Sequence, residues 1–251
     1  MAVPPLTDSS AVLQAIAEFD ALGQEAFLKV HNYGVAKTIY VEHEGRLYDA
    51  KALAAVAYAY QSGQVFEREG YKGGAGVERL FWAMGFETLR RSKDSSREIR
   101  IRLIDPEHHN VYEIIRTPNV GTEPARKLEA RLVEDYQGHL KTLSHVVRRH
   151  AIRVADGDRD LITDLFDETE MVLYEAKSKV DRDTIRYALG QILDYALLLD
   201  DPTLSLRLLV PDRPSSGLIQ LLAAYGVGVT WRSGDGWEAQ PAERPDSIAA
   251  P

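Results

Sequence analysis

From Ser10 to Leu22 the apolar residues Val12, Leu13, Ile16, Phe19 and Leu22 recur at helical spacing between polar neighbours, which predicts an amphipathic helix that Gly23 stops. A short helix, Gln24–Val30, follows and ends in the turn His31-Asn-Tyr-Gly34. Alternation then takes over. Two strands, Thr38–Glu42 and Arg46–Tyr48, are joined through His43-Glu-Gly45 as a hairpin, Asp49 is placed to cap a helix over Ala50–Tyr60, and a helix over Val77–Met84 closes an α+β module. Strand-like runs at Ile99–Ile104 and Val111–Ile115 flank the turn Asp105 to Asn110.

The second half begins with a long helix, Ala125–Leu143, in which Leu128, Leu132, Tyr136 and Leu140 form one stripe. Val146–Val154 is the first strand of a sheet, with Arg148-Arg149-His150 giving it a basic outer face. Further on, Leu204–Val210 reads as a parallel strand, Ser216–Tyr225 as a helix stopped by Gly226, and Val227–Trp231 as an edge strand. The pattern divides the chain into residues 1–92, a connecting segment 93–122, a second domain 123–238 and an Ala/Pro/charge-rich tail 239–251 expected to be disordered.

Between these elements lies the stretch with chemistry in it. A strand-like run, Leu161–Phe166, carries Asp164 on the Ile162/Phe166 face, and after the turn Asp167-Glu-Thr a second run, Met171–Ser178, carries Glu175 and Lys177 two residues apart. In a strand that spacing points both side chains to one face. An acid and a base among Met171, Val172, Leu173, Tyr174 and Ala176 are costly to bury unless they meet each other, a partner or a metal. The helix that follows, Asp183–Leu199, has a broad apolar face of Ile185, Ala188, Leu189, Ile192, Leu193, Ala196 and Leu197, with Gln191 and Tyr195 at i and i+4 on its border.

Composition narrows the classes. The chain is 45% hydrophobic and 27% charged, enough for a sizeable core in 251 residues, and it has no cysteine, which removes disulfides, thiolate metal sites and cysteine nucleophiles. That composition, a start lacking the basic flank and apolar run of a signal peptide, and the lack of a run long enough to span a membrane lead us to expect a cytoplasmic protein that needs no membrane. The formal charge of −8 excludes a general polycation. Residues 1–97 are balanced at 11 basic and 12 acidic, so the acidity sits with the second half, where carboxylates would need divalent cations before a phosphate could approach.

Asp164, then Glu175-Ala-Lys177, then Gln191-x-x-x-Tyr195 resembles the PD-(D/E)XK nuclease superfamily, in the branch with a Gln-x-x-x-Tyr helix, over roughly Pro124 to Trp237. Thr163 stands where the superfamily's Pro precedes the Asp. The N-terminal half carries a second resemblance: Phe27-Leu28, Tyr33-Gly34, Gly45-Arg46-x-Tyr48-Asp49-x-Lys51, Gly73-Gly74 and Leu80 through Gly85-Phe86 look like the N-terminal head domain of ScoMcrA-like type IV restriction enzymes, which cut modified DNA.

Together the resemblances imply an α+β head followed by an α/β restriction-endonuclease-like domain with a central mixed sheet flanked by helices. They imply an endonuclease in defence against foreign DNA, acting on double-stranded DNA, base-modified DNA included, with a homodimer expected because one site cuts one strand. Asp164 and Glu175 would bind Mg²⁺ or Mn²⁺, joined by Glu129 or alternatively Glu134 from the preceding helix; Lys177 would stabilise charge, Gln191 would place a water or phosphate oxygen, and Tyr195 would support the helix. In the head, Lys37, Tyr40, Arg46, Tyr48 and Lys51 make a basic and aromatic set for DNA contact, with core and turn roles as the alternative. A non-catalytic DNA-binding protein and a repair-type nuclease remain open. Gly73-Gly74-Ala-Gly76 lacks the Lys-Ser/Thr of a phosphate loop, and His108, His109, His139, His145 and His150 have no metal-ligand spacing.

Overall fold

Helix α1, Ser9–Leu22, forms where its periodicity places it, one residue earlier than the apolar pattern begins because Asp8 caps it: the carboxylate accepts from Ser10 N at 2.8 Å. Residues 6–64, 74–91, 98–106, 123–155 and 160–242 are described by the computed structural model, with the side chains of 123–124 left aside. The strand expected at Val111–Ile115, Gly73, His108, His109 and residues 243–251 lie outside them. The fold is α+β, and the chain divides into two units, Met1–Leu103 with Ala151–Leu161, and Ile104–His150 with Ile162–Pro251.

In the first unit α1 packs on α3, Ala50–Ser62, whose buried side chains Ala52, Ala54, Ala55 and Ala57 are short. Helix α2, Gln24–Val30, adds Phe27, which meets Phe19 at 4.8 Å between ring centroids. Strands β1, Ile39–His43, and β2, Arg46–Asp49, turn through Glu44 and Gly45, both at positive φ, the backbone a two-residue hairpin loop demands. The antiparallel order is β2-β1-β3-β4, with β3 at Glu87–Arg91 and β4 at Glu98–Ile104. All of β4 but Ile104 thus belongs to this unit, and Ala155 N donates to Glu98 O beside it. Helix α4, Ala75–Ala83, is tied to β3 by the fully buried Glu78, which pairs with Arg90 and accepts from Thr88, itself held by Trp82 Nε1 at 2.8 Å. Asp49 precedes α3 but makes no side-chain cap; its carboxylate is buried and receives Gln24 Nε2 and Ala36 N, because the neighbouring loop's donors reach it first.

The second unit opens with α5, Glu123–Thr142, and continues with β5, Val147–Val154, whose later residues belong to the first unit. Its sheet runs β11-β10-β9-β8-β7-β5, with β7 at Leu165–Asp167, β8 at Val172–Ala176, β9 at Ser205–Val210, β10 at Val227–Ser233 and β11 at Gly236–Gln240. Strands β8, β9 and β10 are parallel neighbours and the other pairs are antiparallel, so the sheet is mixed. From α5, Leu132, Val133, Tyr136 and Leu140 cover Val147, Leu165, Val172, Tyr174 and Ala176, with the Tyr136 and Tyr174 hydroxyls 3.0 Å apart. The helix α6, Arg182–Leu199, packs on β8 and β9, and α7, Ser216–Ala224, on β10. Strand alternation therefore gives Tyr174 and Ala176 to the α5 side and leaves Glu175 and Lys177 for the opposite side.

Several expectations need correcting. Leu128 is 54% exposed, because the buried stripe of α5 begins one turn later, and Leu197 is 73% exposed, because the buried face of α6 runs through Tyr195 and Leu198 instead. Arg149 and His150 are buried, so of Arg148-Arg149-His150 only Arg148 is left near the outer surface of β5. The run Leu161–Phe166 is broken at Thr163–Asp164 into a two-residue β6, Leu161–Ile162, and β7. Strand β10 is not an edge: β11 pairs outside it, and Ala239 and Gln240, expected in the tail, belong to that strand. Gly228 of β10 makes room for this, since a Cβ there would stand 2.8 Å from Gln240 O.

Candidate active site

Asp167 fixes the turn between the two strands that carry the charged residues. Its buried carboxylate accepts from Thr169 N and Glu170 N and lies 2.7 Å from His145 Nδ1, after which Met171 at φ +55° admits the chain to β8. The register of β7 and β8 sets Leu165 opposite Tyr174, and one step further Asp164 stands level with Glu175. Asp164 sits at the bend, and its Oδ2 accepts from Ala176 N at 2.8 Å, between Glu175 and Lys177.

Glu175 and Lys177 are buried and in contact, Nζ to Oε1 at 2.6 Å. Burial alone would lower the lysine's pKa. The nearby charges of Glu175 and Asp164, the hydrogen bond to Glu175 and the charge of Glu129 together outweigh it and hold the ammonium above its ordinary value. Three of the residues expected at a site are thereby gathered around the ammonium of a fourth. Glu129 reaches it from α5, its Oε1 receiving Ser178 N at 3.2 Å and Ser178 Oγ at 3.3 Å. Glu134, the competing choice, is exposed.

Gln191 and Tyr195 enter from α6. Tyr195 is buried in the helix's packed face. The Oε1 of Gln191 is buried and receives no hydrogen bond, and one turn before it the Tyr187 ring has Lys177 Nζ 5.7 Å from its centre. An orphaned buried acceptor one turn from a lysine–carboxylate cluster is suited to a donor that the polypeptide does not supply. Among the described residues, however, no group of three or more acidic or imidazole side chains is close enough to hold a metal ion. The oxygen donors of Asp164 and Glu175 suit a hard divalent cation as a pair, with Glu129 engaged at Ser178.

Two neighbours escape a reading by motif. Arg149, buried on β5, donates Nε to Thr163 O at 2.7 Å and sets a guanidinium nitrogen 4.0 Å from Asp164 Oδ1, so it pins the bend that carries the aspartate. Strand parity is the signal that would have found it: Arg149 alternates with Val147 and Ala151, which are both buried. Tyr187 precedes Gln191 by one helical turn, a spacing equally readable in the sequence.

The head-domain set does not converge. Tyr48 is a core residue edge-on to Phe19, with its hydroxyl 3.2 Å from both oxygens of Asp20, and Arg46 pairs with the same aspartate at 2.8 Å. Tyr40 lies on the opposite face of the hairpin, donating to Ala36 O and lying under the Arg91 guanidinium. Lys37 is exposed and Lys51 half-buried.

Comparison with known families gives one match. Residues 6–90 match the family model described as ScoMcrA-like, N-terminal head domain, in agreement with the resemblance read from that stretch. No characterised protein and no solved structure matches the chain. None of the described helices is long and apolar enough to cross a membrane.

Proposed function

We propose that this protein is a metal-dependent DNA endonuclease of the PD-(D/E)XK type, whose head brings it to foreign, modification-bearing DNA. The observation that carries the reading is the buried Glu175–Lys177 pair with the half-buried Asp164 and Glu129 beside it, together with the orphaned oxygen of Gln191, one turn after the Tyr187 ring that Lys177 approaches. Charged groups are buried together at a cost that packing alone gives no reason to bear. Asp164 and Glu175 are the residues that would hold Mg²⁺ or Mn²⁺, which when bound neutralises phosphate charge and acidifies a coordinated water. Lys177, kept protonated by its neighbours, would stabilise the charge that builds on the phosphate, and Gln191 would orient the attacking water through its free oxygen. Arg149 and Ala176 N hold Asp164 in place for this.

One observation favours a second reading. The closed Glu175–Lys177 contact, with no group of three carboxylates close enough to hold a metal ion among the described residues, suits a DNA-binding protein that retains the charges without turnover. The two separate on plasmid DNA, methylated and unmethylated, incubated with Mg²⁺ or Mn²⁺. Cleavage by the native chain and none by Asp164→Asn supports the nuclease; retention of DNA with no cleavage in either metal supports the binding protein. Linear product without a nicked intermediate would add that two chains act together.

A further inference from the structure

The nuclease reading leaves open what holds the substrate strand against the cluster. The chain is acidic overall, with a formal charge of −8, so an exposed group of cations next in sequence to the buried Glu175–Lys177 pair is informative. Such a group stands at the start of α6: Lys179, Arg182 and Arg186 are exposed, the two arginines one turn apart on one face of the helix. The acids among them are Asp181, taken up as the cap of α6 by accepting from Thr184 N and Oγ1, and Asp183, whose carboxylate is 3.9 Å from Arg186. On the adjacent stripe Tyr187 is 40% exposed although its ring has the buried Lys177 ammonium 5.7 Å from its centre. The same stripe continues to Gln191 and its unpartnered oxygen. An aromatic ring that is open to solvent on one side and touches the site's lysine on the other has no packing reason to be there.

We propose that the exposed start of α6 is the surface that holds a DNA strand beside Glu175 and Lys177: Lys179, Arg182 and Arg186 contact its phosphates, and a nucleotide next to the cut packs on Tyr187. This rests on the nuclease reading and names its substrate contact. Phosphate contacts from exposed cations are lost in proportion to displaced counterions, whereas stacking on a ring is nearly independent of salt, so the two parts of the surface have different signatures.

The test is fluorescence anisotropy of the full chain with a fluorescein-labelled oligonucleotide, single-stranded and annealed to its complement, over a range of KCl, together with kcat and KM for cleavage in Mg²⁺. On whichever DNA the native protein binds, Tyr187→Ala is expected to weaken affinity about tenfold or more with the salt slope unchanged, and Tyr187→Phe to restore it. Lys179→Ala, Arg182→Ala and Arg186→Ala are each expected to reduce the slope of log K against log salt by about one. If the native chain binds and cuts DNA while Tyr187→Ala matches its Kd and KM, or the three cation variants keep the native slope, this surface is not the one used and the nuclease reading stands. If the native chain neither binds nor cuts, both fall together.

Discussion

Lys177 carries two burdens at once, and they are separable by mutation. Its ammonium and the Glu175 carboxylate are both buried, so Lys177→Met strands a negative charge in the protein interior and is expected to cost about 3–5 kcal/mol, measured by urea unfolding. Adding Glu175→Gln should recover most of that stability and none of the cleavage. Asp164→Asn is the cleaner probe, because an amide oxygen can still accept from Ala176 N, and it should leave unfolding nearly unchanged while abolishing cutting. A second residue sets the acid limit. Burial pushes His150 from 6.5 down to about 3, against a small upward pull from Asp201, so the folded state keeps it neutral where the unfolded state binds a proton. The stability this group contributes is whole above pH 6.5 and is lost as pH falls from there towards 3, at up to about 1.4 kcal/mol per pH unit. Thermal melts between pH 7 and 4 should show that slope, and His150→Gln should flatten it; an unchanged slope would assign acid sensitivity elsewhere.

Elements, more than residues, decide how closely β11 can lie against the rest of the sheet. Gly228→Ala puts a methyl group 2.8 Å from Gln240 O and 3.0 Å from Ala242 N, both backbone atoms, so the C-terminal end of β11 must shift. We expect a loss of about 1–3 kcal/mol, with a change in Trp237 emission, since that ring sits on the same strand and packs on Tyr136. Most elements were legible because each is governed by its own period: the helices α1, α2 and α6 and the β1–β2 hairpin lie within a residue or two of where spacing places them. What escaped depends on distant partners. Nothing within Val227–Trp231 says that Gly236–Gln240 will pair beside it, and although parity puts Arg149 on the side of Val147 and Ala151, it does not say that a bend fourteen to fifteen residues away will cover it. The charged cluster was legible for the opposite reason. Glu175 and Lys177 follow from parity on one strand and Asp164 from the short turn that brings the preceding run back beside it, whereas the contact of Arg149 with the Asp164 bend and the places of the five head residues required tertiary knowledge.

At the scale of the molecule, the first unit is not one continuous piece of chain. Ala151–Leu161 belongs to it, with Ala155 N bonded to Glu98 O, Asp160 3.1 Å from Arg102 and 2.6 Å from Arg153. A head expressed as residues 1–92 therefore lacks both β4 and this late addition, and should melt well below the same unit in the full chain, as circular dichroism would report. A protease site inserted within 107–122 should yield two pieces that stay together on a sizing column, because the late addition remains on the C-terminal piece.

That threading also bears on inheritance. A head of this kind cannot be exchanged between proteins by a single crossover placed between residues 105 and 150 of the gene product, since that leaves the 151–161 segment behind with the wrong host. Any lineage that pairs such a head with a different effector must either carry the downstream stretch along or evolve a replacement for it.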